Sequence, residues 1–128
     1  MSTLEVSNLN DGTTTVATTF VTNGSAKATC SLYHNSGTPT VVDSTNVSSL
    51  TDQNTGQANV NYTSSMSSTA YVTSCAGWAY GTWTGGAVTA VATYTTTSLL
   101  LGHRENSLLV DCTDSSSPLS CIVMGDLA

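Results

Sequence analysis

Strict alternation of apolar and polar side chains is the feature that most restricts this chain. From Gln57 to Thr63 the sequence QANVNYT sets Ala58, Val60 and Tyr62 against Gln57, Asn59, Asn61 and Thr63, the period of a strand with one buried face. Ala26, Ala28, Cys30 and Leu32 alternate in the same way with Lys27, Thr29, Ser31 and Tyr33. No long segment repeats apolar residues at helical spacing. Of 128 residues, 43 are Ser or Thr, and the branched threonine side chain suits a pleated surface better than a helix. The expected fold is all-β.

Turn chemistry divides the chain. Asn10-Asp11-Gly12 closes a first strand that carries Leu4 and Val6, and Thr22-Asn23-Gly24-Ser25 closes a second, Thr14 to Val21, that carries Val16 and Phe20. Asn35-Ser36-Gly37 turns the chain into Thr38 to Asp43, a short strand in which Pro39, with no N–H to donate, fits only at an edge or at a first position. Val47 and Leu50 precede a polar turn, Thr51 to Gly56. Further strands are expected over Thr69 to Ala76, over Ala87 to Leu101 as one strand or two, and over Leu108 to Cys112 and Leu119 to Met124. Gly102-His103-Arg104-Glu105-Asn106 reads as a charged turn. Short strands at this spacing point to a single antiparallel β-sandwich or barrel-like domain, and the length suits one domain.

Charge removes several function classes. Charged residues make up 8% of the chain, and the net charge of −6 leaves only Lys27 and Arg104 as cations. Nucleic-acid binding needs a basic patch, and so does an anionic membrane surface; neither partner is expected. No apolar run approaches the ~18 residues of a spanning helix, so membrane insertion is not expected. The start, MSTLEVSNLNDG, has no cationic region and no apolar stretch, which gives no support for a secretory signal.

Residues with chemical potential are few. His34 and His103 fall in expected turns without a G-x-S-x-G elbow nearby, and both read as solvated turn histidines. Asp111, Asp114 and Asp126 match no calcium-loop spacing and read as solvated loop acids. Cys30, Cys75, Cys112 and Cys121 lack C-x-x-C spacing, against zinc and against a thioredoxin-like pair. Cys112 and Cys121 flank the turn-like Asp114 to Pro118 and would face each other across a hairpin, which leaves Cys30 with Cys75. Four free, buried thiols remain the alternative. The sequons at Asn23, Asn46 and Asn61 are chemically valid acceptors, discounted here for want of a signal peptide. Trp78, Tyr80 and Trp83 lie among Gly77, Gly81, Gly85 and Gly86. Such rings either pack, against each other or a neighbouring subunit, or stack on a sugar or cell-surface receptor.

The middle of the chain carries a second level of pattern. Lys27-Ala28, His34-Asn35-Ser36-Gly37-Thr38, Asp43-Ser44, Asn46-Val47-Ser48-Ser49-Leu50-Thr51-Asp52, Thr55-Gly56, Val60-Asn61-Tyr62 and Ala70-Tyr71-Val72 occur in order. Together they resemble a module found in tail-fibre and other virion proteins of tailed bacteriophages, with the pattern KAWVNFNGTG, then DSxNVSSxTDNGTGxYTVNF, then xAxYxV. Thr29 stands here for the pattern's Trp, and Leu32-Tyr33 for its Asn-Phe. The resemblance spans Lys27 to Val72. It implies a non-enzymatic structural protein without a cofactor, exposed on the surface of the phage particle. Residues 1–25 would then be a short attachment region and residues 26–128 a tail-fibre-like β-domain. The implied partners are further copies in a trimer, other virion proteins of tail or capsid, and a host surface glycan or receptor during attachment. A capsid decoration, or cement, protein that stabilises the head is the alternative. A secreted carbohydrate-binding or hydrolytic domain is disfavoured by the missing signal peptide and the poor catalytic inventory.

Overall fold

The computed structural model describes residues 6–77, 88–105, 108–113 and 118–128. They form β1 (Asn8–Asn10), β2 (Thr15–Ala17), α1 (Thr18–Gly24), β3 (Ala26–Asn35), β4 (Thr38–Thr45), β5 (Val47–Asn54), β6 (Gln57–Tyr62), β7 (Val72–Ala76), β8 (Val88–Tyr94), β9 (Ser98–Glu105), β10 (Leu108–Leu109) and β11 (Leu119–Met124). All strand pairs are antiparallel. One sheet runs β4-β3-β11-β7. In another, β5, β6, β9 and β8 are neighbours, and β10 pairs with the end of β9 beyond β6.

The alternation in the sequence becomes the division between core and surface. In β3, Ala28, Cys30, Leu32 and His34 are buried while the residues between them are only half-buried. Ala58, Val60 and Tyr62 do the same in β6, and Leu119, Cys121 and Val123 in β11. These side chains join Leu99, Leu101, Met66, Tyr71 and Cys112 in one hydrophobic cluster to which both sheets contribute. Each fully buried Leu or Val in it is worth roughly 1.5–3 kcal/mol over an exposed one. The β3–β4 turn is Ser36-Gly37, with φ of 51° and 86°, the double left-handed geometry that matches hairpin twist.

The chain crosses from one sheet to the other at Asn46, whose φ is 55°. Asparagine tolerates that conformation better than most residues, and its side chain holds the corner. Its Oδ1 accepts from Ser64 N–H at 2.7 Å, its Nδ2 donates to the Ser64 carbonyl at 3.0 Å, and its own carbonyl accepts from Thr63 N–H. The C-terminal end closes over the following loop: Ser67 N–H donates to the Asp126 carbonyl and Ala128 N–H to that of Ser65. Tyr71 packs edge-on against Tyr62 and Tyr94, and its hydroxyl donates to the carbonyls of Thr95 and Ser98.

Five expectations need correction. Thr14 to Val21 is not one strand: β2 stops at Ala17 and α1 follows, as Thr18 turns its hydroxyl onto the carbonyls of Val6 and Ser7. The polar turn after Leu50 is shorter than expected, because β5 runs on to Asn54 and pairs with Gln57. The strand expected from Thr69 begins at Val72, and that from Leu108 ends at Leu109. Gly102 to Glu105 form no turn but extend β9, where Gly102 pairs with Gln57 and Ala90.

Candidate functional site

Both histidines lie in strands and are sealed from solvent, which overturns their reading as solvated turn residues. His34 is 1% and His103 0% exposed. Parity explains the burial: His34 continues the inward series Cys30, Leu32, and His103 continues Leu99, Leu101. The signal was present in the sequence, since period two does not stop at a polar residue.

A short segment after β10 ties the histidines together. Val110 N–H donates to the His103 carbonyl at 3.2 Å, and His34 N–H donates to the Cys112 carbonyl at 2.6 Å. Between them, Asp111 Oδ1 accepts the Gly56 N–H at 2.6 Å, while the Gly56 carbonyl accepts from His103 N–H at 2.8 Å. Gly56 has φ of 67°, and a Cβ there would lie 2.3 Å from the Val110 carbonyl oxygen. Only glycine fits a turn that presses on a backbone this closely. Asp111 is thus half-buried and engaged rather than a solvated loop acid.

His34 Nε2 stands 3.9 Å from Asp111 Oδ1, too far for a hydrogen bond, and neither imidazole nitrogen of His34 has a hydrogen-bond partner. Burial pushes the His34 pKa below its ordinary value, outweighing the opposite pull of Asp111 and Asp52. The imidazole is therefore neutral near pH 7. A sealed neutral histidine facing a carboxylate can act as a proton-sensitive packing element, but it offers no opening to a substrate. Among the described residues no group of His, Cys, Asp and Glu is arranged to hold a metal, and no helix is long and apolar enough to cross a membrane.

The expected disulfide pairs are not brought together. Cys121 pairs in register with Cys30 on one side and Cys75 on the other, so Cys30 and Cys75 are two strands apart, ~10 Å at the usual strand spacing and beyond bridging range. Cys112 adjoins His34, four residues along β3 from the level of Cys121 and so ~13 Å away at the strand rise. None of the four cysteines is in a disulfide. Burial pushes Cys30 to about 11 and Cys121 to about 12, and raises Cys75 as well.

Trp78, Tyr80 and Trp83 lie outside the described residues, as does Asp114. The Asn46 side chain is occupied at its corner, and Asn61 Nδ2 donates to the hydroxyls of Ser49 and Thr51, so both amides serve the framework. On the N-terminal side, β1 pairs only with β2 among the described strands. Leu9, Asp11, Thr14, Val16 and Val21 line an open groove there of ≈ 730 Å³. Leu9 and Val21 are exposed. Sequence reading missed this groove because α1 has no helical signature, neither a side-chain cap nor acids in its first turn. No protein-family model, no curated protein and no solved structure matches the chain.

Proposed function

We propose that this chain is a bacteriophage virion structural protein, a β-sandwich domain displayed on the particle surface as a trimer and engaged in host attachment. The observation that carries the reading is the N-terminal ladder. β1 and β2 are three residues each and join neither large sheet among the described residues, and a two-stranded ribbon of that size is marginal alone. With Val6, Leu9 and Val21 exposed around it, it suits a segment that docks onto another virion protein. Exposed Val41 and Val42 on edge strand β4 fit the same picture, since edges are covered in assemblies.

The resembling residues supply the frame in this reading. Asn46 turns the corner, Gly56 makes the close turn, and Val60 and Tyr62 fill the core. Host contact falls to Trp78, Tyr80 and Trp83. The test pairs Trp78→Ala with Trp83→Ala in assembled particles: host adsorption drops while particle stability holds. Unchanged adsorption with weakened heads would instead favour the cement role, and absence of the protein from purified particles would end both readings.

A further inference from the structure

Three thiols stand in a row across neighbouring strands, and the strand geometry singles out one pair. Cys30, Cys121 and Cys75 occupy matching positions on β3, β11 and β7, with Cys30 and Cys121 buried and Cys75 half-buried against the core. In an antiparallel sheet a residue's N–H and C=O both point to the same side, so Cys121 hydrogen-bonds either to β3 or to β7. The two-residue β3–β4 turn makes Asn35 bond toward β4, and His34 N–H points the other way, to Cys112. The register shift between β3 and β4 beside Ser31 and Leu32 places its extra residue, Val42, on β4, while β3 pairs with β11 in unbroken register from Leu32 to Ala28 and keeps its own alternation. Counting back by twos, Cys30 points its backbone groups at β11. Cys30 and Cys121 are therefore the hydrogen-bonded pair, and Cys121 and Cys75 the non-hydrogen-bonded one. Side chains approach more closely in the second kind, with Cβ atoms ~4.5 Å apart, at the edge of the range a disulfide spans.

We propose that Cys75 and Cys121 form a site of oxidative cross-linking, at which Cys75 takes up a small-molecule disulfide such as oxidised glutathione and passes the bond to Cys121. The Cys75 thiolate attacks one glutathione sulfur, forming a mixed disulfide and expelling one glutathione thiolate. Cys121 then gives up its proton and its sulfur attacks Cys75 Sγ, expelling the second glutathione. Two protein thiols lose two electrons and two protons, and the oxidant becomes two glutathione thiols. Cys30, on the far side of Cys121, stays reduced. The product staples edge strand β7 to interior strand β11.

The experiment treats the folded protein with oxidised glutathione at mildly alkaline pH and maps its peptides without reduction. The expected result is a Cys75–Cys121 linked peptide, an intact mass lower by two hydrogens, and a melting temperature raised by roughly 10 °C. Cys30→Ser leaves the cross-link in place, and Cys75→Ser abolishes it. A Cys30–Cys121 peptide, a glutathione adduct that persists at Cys75, or thiols that all remain reduced would overturn the proposal.

Discussion

Asn46 is the position where sequence pattern, backbone and hydrogen bonding can be separated by substitution. Asn46→Ala loses both side-chain bonds to Ser64 and leaves a residue with a Cβ at φ 55°. The bonds are partly exposed, so together they are worth about 1–2 kcal/mol, and the left-handed backbone adds roughly 1–2 kcal/mol for alanine. The expected loss is about 2–4 kcal/mol. Asn46→Gly removes the same bonds without the backbone strain, so it should cost about 1–2 kcal/mol. Urea melts of the three proteins, read by tyrosine fluorescence and circular dichroism, measure the ordering native > Gly > Ala. Equal losses for Gly and Ala would refute the strain argument, and losses under ~0.5 kcal/mol for both would show that Asn46 does not hold the corner between the sheets.

Gly56→Ala should be more damaging than either, by about 3 kcal/mol or more, because the methyl group displaces Val110 and breaks the Asp111 bond; a thermal melt within ~1 kcal/mol of native would contradict this packing. Stability should fall as pH drops from 7 toward 5. The His34 pKa is depressed in the folded state, so the unfolded chain binds the proton first and native stability erodes below about pH 6.5, with a slope of at most about 1.4 kcal/mol per pH unit from this group. His34→Leu should flatten that part of the profile, and a slope that persists unchanged would assign it elsewhere. Alkylation of the native protein near pH 8 should modify Cys75 ahead of Cys30 and Cys121, whose thiols are buried and held protonated. Equal labelling rates, followed by mass spectrometry, would mean the two inner thiols are not sealed.

The strand content was legible because burial follows parity. Cys30, Leu32, Val60 and Tyr62 could be placed inside from alternation alone, and the turn at Ser36-Gly37 from its residue types. The same rule extended one step further would have placed His34 and His103 inside; reading them as turn residues gave polarity priority over period. Other features had no local signal. The partner of Asp111 is Gly56, 55 residues away in sequence, and the cysteine row depends on β11 lying between β3 and β7. Strand order is set by packing across the whole chain, so cysteine pairing by sequence proximity favoured Cys112 with Cys121, which the fold holds apart. α1 was missed because Thr18–Gly24 contains poor helix formers, and its position reflects contacts with β2 and the preceding segment rather than propensity.

The most direct test of the proposed role is a cryo-electron microscopy map of phage particles purified from a culture that produces this chain. The account predicts a three-fold protrusion on the particle surface into which three copies of the two-sheet domain fit, with residues 6–24 turned toward the particle. Particles in which this protein is absent, or in which it lies inside the head in contact with the packaged genome, would contradict it.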